Sequence, residues 1–441
     1  MLRALRHRAS GHRHLLTGSA ALVLTAGVQA LSGALFWLIA ARVDTQDDVG
    51  HATALLTSVL FVAFVGGLGQ PVAAARYAAG RSRDDHVLFA WGALATAAAS
   101  AVMAFAYIVA VSPRAIDELT AWHGGAGPVV FVALGSGTAL SLLLDVRLMT
   151  QRRWGLVLAR AIIVGAIRFP LLAIPVDTHR AVWLLIVAAL PTAVSGFVGM
   201  ALLPRVTGDR HRLGPLPATT RTMVRYSLVN WGSTLTYQAP TFAMPVIVLV
   251  HVNADVNASF YVAWGVAAMA CYVPMAIGQA LLAEGGRDGA HVRAQVRLAI
   301  VVAGGLMVVG TVIATVGRDV VVTLYGEDYR DAAAILPQLV AASIPWAVTS
   351  VYLTEARVRH RSAATVAITL ALAVAILGPA LVLVPEDGID GAATSFLVGN
   401  VIAAIVALGF HVAARGREDR PIDATTTADI EAESIGLAPL G

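Results

Sequence analysis

The chain has 441 residues, of which 58% are hydrophobic and only 13% are charged, and its formal net charge is +4. Soluble proteins contain about 25% charged residues, so this composition excludes a soluble globular fold. The apolar residues form continuous blocks of about 20 to 28 residues, each long enough to cross a bilayer as a helix, and without the alternation of a transmembrane β-barrel. We therefore predict an all-α polytopic membrane protein.

The blocks predict twelve membrane spans, six in each half of the chain. We expect residues 1–14 to form a cytoplasmic N-terminus, 15–204 an N-terminal six-helix bundle, 205–221 a cytoplasmic linker, 222–414 a C-terminal six-helix bundle and 415–441 a disordered cytoplasmic tail. The first block is too long for the apolar region of a signal peptide. The spans are 15–41, 51–79, 86–112, 126–150, 156–176, 180–204, 222–250, 257–283, 294–316, 332–354, 363–385 and 390–413.

The distribution of arginine orients these spans. All 31 basic residues are arginine, and the segments predicted to face the cytoplasm hold 24 of them, against five in the segments predicted to face outside. Positively charged loops remain on the cytoplasmic side of a membrane, and a miscounted span would invert this distribution downstream. We therefore expect a protein of the cell membrane with both termini in the cytoplasm.

The two halves of the chain repeat a few short patterns in the same order. Gly69-Gln70 recurs 209 residues later as Gly278-Gln279, and Asp145-Val146-Arg147 recurs 210 residues later as Glu355-Ala356-Arg357. Matches in order at nearly one offset indicate two homologous halves. Because each half has an even number of spans, both halves enter the membrane in the same direction. The pattern predicts two bundles related by a pseudo-twofold axis along the membrane normal.

Several kinds of chemistry are excluded or receive no support. No P-loop motif occurs and the chain has no lysine to complete one, so we expect no ATP hydrolysis. Its His, Cys and acidic residues show no metal-ligand spacing, so neither a metal nor another cofactor is predicted. The basic loops account for the net charge, and nucleic acid is not an expected partner. We do not expect an enzyme.

Two arginines lie inside the fifth span, and an arginine within a membrane normally faces a partner or a watery cavity. Arg160 and Arg168 are eight residues apart, so one broad face of a helix can hold both. Together they are candidates for a cationic wall that binds an anionic substrate. The alternatives are that Arg160 extends to the cytoplasmic interface, and that Arg168 has a structural partner such as Asp177 or a backbone carbonyl.

Uncharged polar and aromatic side chains inside the spans are candidates to line a cavity and contact sugar. An unsatisfied amide is costly in lipid, so these groups face other helices or a cavity. The alternative reading is hydrogen bonding between neighbouring helices. The candidates are Gln29, Gln70, Asn230, Trp231, Tyr237, Gln238 and Gln279.

Asp145 and Glu355 occupy equivalent places in the two halves, each two residues before an arginine. They are candidates for carboxylates that couple transport to a proton or cation gradient. The simpler reading is a local charge pair with Arg147 or Arg357 at a cytoplasmic helix end.

Four short sequence segments resemble segments of the oligosaccharide flippases (Wzx-like) of the multidrug/oligosaccharidyl-lipid/polysaccharide (MOP) exporter superfamily. Leu324–Tyr329 with the alanines after it is similar to one conserved passage, and Gly388–Ala393 to the entry of the last helix. Phe260–Ala263 and Asp48–Ala52 resemble the turns into a helix in the two halves. The resemblance implies two six-helix bundles arranged as a V around a central cavity. It also implies transfer of an undecaprenyl-diphosphate-linked oligosaccharide between leaflets.

The sequence thus predicts a flippase that moves a polyprenyl-diphosphate-linked oligosaccharide from the inner to the outer leaflet for cell-surface polysaccharide assembly, by alternating access. Arg160 and Arg168 would hold the diphosphate. Glycosyltransferases and a polysaccharide polymerase are the expected partners. The alternatives are a multidrug cation antiporter of the same superfamily, which needs acids inside the bundle, and a membrane polymerase or ligase, which needs a large outer loop.

Overall fold

The computed structural model of the protein describes residues 24–77, 82–110, 118–176, 179–208, 213–285, 292–359 and 361–418, and in these ranges every regular element is a helix. The predicted all-α class is therefore confirmed for the described residues. The predicted N-terminus 1–14 and residues 419–441 of the predicted tail lie outside them.

The helices have the following bounds. In the N-terminal half they are α1 Leu24–Val43, α2 Gln46–Gly66, α3 Gln70–Tyr77, α4 Arg83–Ala110, α5 Gly127–Thr150, α6 Trp154–Leu172 and α7 Arg180–Thr207. In the C-terminal half they are α8 Thr220–His251, α9 Ala254–Gly285, α10 Val292–Val316, α11 Asp319–Tyr325, α12 Arg330–Ala341, α13 Ser343–Val358 and α14 Ser362–Glu418. The last helix therefore extends four residues into the predicted tail, from 415 to 418.

The turn between α1 and α2 follows from local chemistry. Thr45 is the N-cap of α2, and its hydroxyl accepts a hydrogen bond from the amide of Asp48. Asp47 and Asp48 lie in the first turn, where a negative charge is favourable near the positive end of the helix dipole. The polar stretch that the hydropathy pattern places between the first two spans thus starts a helix.

Twelve segments cross the bundle, as predicted. By length and apolar character, eleven helical segments of the described chain can span a membrane, and the last of these, Ala363–Ala413, is 51 residues long. It is two helices, because Gly388 has a backbone φ of 59° and ψ of −133° that breaks the run. A Cβ on Gly399 would meet Ile376, and one on Gly391 would overlap the Leu383 carbonyl, so the two parts are antiparallel neighbours.

The packing of the helices repeats between the halves. In the N-terminal half α2 packs on α4 and α5, and α5 packs on α7. In the C-terminal half α9 packs on α10, α12 and α13, and α13 packs on α14. The first and fifth spans also meet in both halves. In the N-terminal half Gly165 of α6 lies against Ser32 of α1. In the C-terminal half α8 packs on α14. The fold is two six-helix bundles related by a pseudo-twofold axis.

The repeated spans differ in regularity. The second span is interrupted at Leu68 and Gly69, both in the left-handed region with φ of 48° and 67°, whereas α9 runs unbroken through the equivalent Gly278. A side chain on Gly69 would meet the Ser227 carbonyl of α8, so this turn needs glycine for close approach as well as for its φ. In the tenth span a break at Ala342 separates α12 from α13, whereas its counterpart α5 is continuous.

Successive spans alternate in direction, so the molecule has two distinct ends. We define the arginine-poor end as the one that carries Arg42, Arg180, Arg318 and Arg330. The arginine-rich end carries most of the others, including Arg83, Arg147, Arg152, Arg205, Arg225 and Arg359. The largest buried cluster joins side chains of both halves toward the arginine-poor end, among them Phe36, Ala52, Met244 and Phe260.

Candidate functional site: the groove between the bundles

The two bundles are in direct contact at the arginine-poor end, through hydrogen bonds and close backbone packing. The Asn257 side-chain amide of α9 donates to the Gly50 carbonyl of α2 at 2.8 Å, and Gln46 donates to the Ser259 hydroxyl at 2.8 Å. A Cβ on Gly50 would overlap the carbonyl of Ala254, so only glycine permits this approach. These contacts close the space between the bundles at this end.

A second set of contacts reinforces the closure. The guanidinium of Arg42 donates from Nε to the Leu324 carbonyl at 2.6 Å and from Nη2 to the Thr323 carbonyl. It thereby satisfies carbonyl groups at the C-terminal end of α11. Gln46 also donates to the Asp328 carbonyl at 2.9 Å. Residues at and just after the end of the first span are thus hydrogen-bonded to the short helices that follow α10.

The seam between α2 and α8 is closed along its length. The ring of Phe242 lies 6.0 Å from that of Phe61 and 5.5 Å from that of Phe64. Nearer the arginine-rich end, the Trp231 indole Nε1 donates to the Val65 carbonyl at 3.0 Å. Trp231, predicted to contact sugar, therefore holds the two bundles together in this conformation.

The seam between α1 and α9 closes only at the arginine-poor end. There Trp37 and Tyr261 meet edge to face, with ring centroids 5.6 Å apart. Gly33 precedes Trp37 by four residues and Gly265 follows Tyr261 by four, so each lies on the same helix face one turn closer to the arginine-rich end. A Cβ built on either glycine meets no atom within 4 Å. The two helices therefore diverge into a groove that opens toward the arginine-rich end.

Arg168 lies at the closed end of this groove. On α6 it is three residues beyond Gly165, which packs against Ser32 of α1, so it lies on the side of α6 that faces α1. Its guanidinium is close enough to Tyr261 of the other bundle to interact electrostatically. It lies four residues before the end of α6, nearer the arginine-poor end than the mid-depth position expected from the sequence.

The guanidinium of Arg168 has unused hydrogen-bonding capacity. Its Nε is buried and has no hydrogen-bond partner among the described residues. Asp177, the structural partner considered from the sequence, lies outside the described residues. A buried guanidinium donor without a partner is costly, so Arg168 is a candidate to bind an anion at the interface between the two bundles.

Arg160 has a different environment. It forms an ion pair with Asp145, and it also donates to the hydroxyls of Ser141 at 2.7 Å and Ser195 at 3.0 Å. The side chains of the pair are 16% and 17% exposed. Asp145 thus has Arg160 of α6 as its partner, while Arg147 is buried with its guanidinium 5.0 Å from the centre of the Phe89 ring.

Two of the candidate sugar-contacting residues line a cavity inside the C-terminal bundle. Tyr237 and Gln238 of α8 adjoin a space of about 70 Å³ together with Trp346 and Asn400. The Tyr237 ring is tilted on Trp346 at 5.6 Å, and its hydroxyl lies 3.8 Å from the Met275 sulfur. The lining of this cavity includes the amides of Gln238 and Asn400 and the aromatic rings of Tyr237, Trp346 and Phe396.

The remaining candidates are dispersed. Gln29 is exposed on α1 toward the arginine-rich end. Gln70 is buried against Gly92 of α4, and its Oε1 has no hydrogen-bond partner among the described residues. The side chains of Asn230 and Gln279 lie outside the described residues.

Glu355 is held by groups that the sequence pattern did not connect with it. One carboxylate oxygen lies 2.8 Å from Nδ1 of His411, and the other lies 3.1 Å from Nε of Arg359. The His411 ring stacks on Tyr352 with centroids 4.3 Å apart. The expected local partner was Arg357, whose side chain lies outside the described residues.

The structure also gathers a cluster that sequence spacing missed. Asp47 and His51 lie one turn apart on α2, and Glu118, in the short helical segment 118–121 before α5, joins them, with one ligand atom of each within 4.8 Å of the others. Burial raises the pKa of the Glu118 carboxyl, and His51 opposes that effect. The separation of 67 residues between His51 and Glu118 hides this cluster from any motif search.

Comparison with known structures identifies the fold. A structure of the lipid II flippase MurJ in an inward closed conformation matches with a TM-score of 0.70 and 10% identity, over 90% of this chain and 87% of that chain. An inward-facing multidrug resistance MATE family transporter of the MOP superfamily matches with a TM-score of 0.65 and 14% identity, over 90% and 99% of the two chains. The chain has the fold of the MOP-superfamily transporters.

A third match is a MOP superfamily transporter from Pyrococcus furiosus, described by the reverse polarity of its binding pocket. Its TM-score is 0.56 at 13% identity, over 92% of this chain and 96% of that chain. No protein-family model and no curated protein sequence matches the chain. At these identities the similarity concerns the fold, and the substrate has to be inferred from the groove.

Proposed function

We propose that this protein is a flippase that moves a polyprenyl-diphosphate-linked oligosaccharide from the inner to the outer leaflet of the cell membrane by alternating access. The observation that carries the proposal is Arg168, whose buried Nε has no hydrogen-bond partner among the described residues and which lies at the closed end of a groove between two bundles. A similar fold in a protein described as a lipid II flippase supports it.

The groove suits a molecule that is polar at one end and apolar at the other. A diphosphate and its sugars cannot cross hydrocarbon without help, because their hydration is lost. Between α1 and α9 the groove opens toward the arginine-rich end, and in the proposed cycle the polyprenyl chain stays in lipid while the head group enters. Arg168 then pairs with the diphosphate through charge-assisted hydrogen bonds.

Arg160 takes a secondary part in the proposed site. Its guanidinium is paired with Asp145 and two serines, so it would bind substrate only by exchanging those partners. The Nε of Arg168 has no such partner among the described residues. The diphosphate site is therefore centred on Arg168, with Arg160 as a second cation.

The sugar part would contact polar and aromatic groups. Tyr261 interacts with Arg168 and is in ring contact with Trp37, so both aromatic side chains are candidates to contact sugar. Gln29 lies near the open end of the groove, and Tyr237 and Gln238 line the cavity of the C-terminal bundle. Trp231 and Gln70 would join when the seam between α2 and α8 opens, and Asn230 and Gln279 remain proposed on sequence alone.

The orientation and the partners of the protein follow from the same proposal. By the positive-inside rule the arginine-rich end faces the cytoplasm, so the groove in this conformation receives substrate from the inner leaflet. Both termini are then cytoplasmic. Glycosyltransferases supply the substrate, a polymerase consumes it, and an ion gradient provides the energy, since the sequence has no P-loop.

The main rival is a multidrug cation antiporter, because MATE transporters share the fold. Such a protein needs a carboxylate free to meet a cation. In the described spans Asp145 is paired with Arg160, Glu355 with His411 and Arg359, and the group at the end of the groove is a guanidinium. These charges favour an anionic substrate.

The test uses purified protein in liposomes with a fluorescent polyprenyl-diphosphate N-acetylglucosamine, whose outer-leaflet fraction is measured by quenching with dithionite. Arg168→Ala should lower the flipping rate at least tenfold, since a hydrogen bond to a charged group is worth about 1.5–3 kcal/mol. Arg168→Lys should retain part of the rate. Arg330→Ala, on an exposed arginine that pairs with Glu327, is the control. Equal rates for Arg168→Ala and Arg330→Ala would refute the proposed role of Arg168.

A further inference from the structure

Asp47, His51 and Glu118 bring three metal-ligating side chains together at the arginine-poor end of the N-terminal bundle. One ligand atom of each lies within 4.8 Å of the others. Asp47 and His51 are four residues apart on α2 and therefore lie on one face of the helix. Glu118 comes from the short helical segment 118–121 before α5. The cluster thus joins two elements that are distant in the sequence.

The segment that carries Glu118 is held in place by packing. The neighbouring Leu119 is fully buried in a cluster with Ala54 and Leu55 of α2. A Cβ on Gly127, at the start of α5, would overlap the Leu119 carbonyl, so the segment and α5 are in close backbone contact. The position of Glu118 beside α2 is therefore fixed by the packing of its neighbour.

The distances suit an ion that is bound directly by these groups. Nδ1 of His51 lies 3.4 Å from Oδ2 of Asp47. This is close to the separation of two ligands that are each about 2.0–2.2 Å from one tetrahedral Zn²⁺. Nδ1 also lies 3.1 Å from the Asp47 carbonyl. Binding of an ion at Nδ1 exchanges that hydrogen bond for a bond to the metal and leaves the ring proton on Nε2.

The carboxylates of the cluster have unused capacity to bind a cation. Oε2 of Glu118 is buried and has no hydrogen-bond partner among the described residues. In the same part of the chain, neither Asp47 nor Glu118 forms an ion pair with an arginine. Asp48 adds a third negative charge that acts on Glu118, with opposing contributions from His51 and His179. A bound cation would satisfy the buried oxygen and offset the negative charge.

We propose that Asp47, His51 and Glu118 form a binding site for one divalent transition-metal cation of the Zn²⁺ or Mn²⁺ type. One imidazole with two carboxylates favours such ions over Mg²⁺ and Ca²⁺, which prefer oxygen ligands alone. The three groups leave further coordination positions for water. The side chains of Asp47 and His51 are 57% and 21% exposed, so an ion can reach the site from the arginine-poor end. The proposal does not depend on the proposed transport function.

A metal ion at this place stabilises the part of α2 that contacts the other bundle. Gln46 and Gly50, which lie beside the ligands on α2, contact Ser259 and Ala254 of the C-terminal bundle. An ion that joins α2 to the segment 118–121 holds these turns of α2 against the N-terminal bundle. Because a ligand that binds only the folded state stabilises that state, the ion should raise the melting temperature of the protein.

Equilibrium dialysis of the purified full-length protein against Zn²⁺ at pH 7 tests the site, with bound zinc measured by atomic absorption. At a free Zn²⁺ concentration that fills the site, Glu118→Gln and His51→Gln should each bind one ion fewer per protein than the unmodified chain. His251→Gln is the matched control and should bind as much zinc as the unmodified chain. His251 makes the same kind of hydrogen bond to the carbonyl four residues earlier, at 3.0 Å, but is not part of the cluster. Equal zinc binding by the unmodified chain, Glu118→Gln and His51→Gln overturns the proposal.

The melting temperature gives a second readout, which a purely structural role of Glu118 would not produce. With EDTA present, Glu118→Gln should melt slightly higher than the unmodified protein, because the substitution removes a partly buried negative charge. With Zn²⁺ present, the unmodified protein should melt several degrees higher than Glu118→Gln. The same order in EDTA and in Zn²⁺ overturns the proposal. A larger effect of Ca²⁺ than of Zn²⁺ overturns the assignment of His51 as a ligand.

Discussion

Each of the two bundles carries an acidic residue at an equivalent position, and the partners of this residue differ between the bundles. Asp145 and Glu355 both lie near the arginine-rich end of the fourth span of their half, where Asp145 is partly buried and Glu355 is buried. Asp145 is bound by an arginine and reinforced by two serines that hold Arg160, whereas Glu355 is bound by a histidine and an arginine. The equivalent acids of the duplicated fold thus have different partners, an arginine in one bundle and a histidine together with an arginine in the other.

The Asp145–Arg160 pair should be important for stability, and its loss gives the largest expected effect. Asp145→Ala leaves the Arg160 guanidinium largely buried without its carboxylate, which typically costs about 3–5 kcal/mol. The melting temperature of the purified protein should fall by several degrees at every pH from 5.5 to 8. Asp319→Ala, at a largely exposed acid beside Arg318, should change it little. If both variants melt alike, Asp145 and Arg160 do not form the structural pair described here.

Replacing Gly50 with serine, the residue at the equivalent position of the other half, tests whether the contact between the halves requires glycine at position 50. Gly50 corresponds to Ser259 in the other half, and a side chain at position 50 would overlap the Ala254 carbonyl. Gly50→Ser should therefore hold the arginine-poor end apart, at a cost of about 1–3 kcal/mol in the closed conformation. The distance between spin labels attached at Val43→Cys and Val320→Cys, in a Cys271→Ser background, should lengthen.

Gly305→Ser is the matched control, because a Cβ there meets nothing within 4 Å. An unchanged distance distribution in Gly50→Ser would contradict the tight contact between α2 and α9.

A third acid, Glu118, lies outside both pairs and gives the smallest expected effect. Its pKa is raised by burial, with Asp48 and Asp47 adding to the rise and His51 opposing it. A raised pKa in the folded state means that the contribution to stability is complete below the unfolded-state pKa and is lost as the pH rises through the folded-state pKa. Glu118→Gln, which cannot ionise, should therefore melt higher than the unmodified protein at pH 7 in the presence of EDTA.

The gain should be on the order of 1 °C, because the side chain is only half-buried and is screened by water. The difference between the two proteins should vanish below about pH 4, where the carboxyl is protonated in both states. A lower melting temperature for Glu118→Gln at pH 7 would mean that His51 stabilises the carboxylate more than burial destabilises it.

Sequence reasoning predicted most of the architecture, because hydropathy and the placement of arginine are local properties of the chain. The turn at Gly388 falls between the two predicted last spans, where polar residues interrupt the apolar run. The break at Ala342 was not predicted, since that segment is continuously apolar and the break depends on packing. The break before Gln70 was also missed, although Gly69 is the residue that permits it.

The site was harder to predict, since its residues meet only through the fold. The sequence singled out Arg160 and Arg168 as equals, and only the neighbouring helices reveal that Arg160 has a carboxylate partner, whereas the Nε of Arg168 has no hydrogen-bond partner among the described residues. His411 was one of twelve histidines with no distinguishing pattern. Tyr261 lies in the segment Phe260–Ala263, which the sequence analysis singled out. That segment was interpreted as the start of a helix, and its proximity to Arg168 was not predicted.

The most direct test of the central claim, that Arg168 binds the diphosphate, measures affinity without transport. The purified protein is titrated with a short-chain polyprenyl diphosphate and with the matching polyprenyl monophosphate. We predict that the protein prefers the diphosphate and that Arg168→Gln weakens its binding about tenfold or more, as expected for a lost charge-assisted hydrogen bond. Equal affinity of Arg168→Gln and the unmodified protein for the diphosphate would contradict the account.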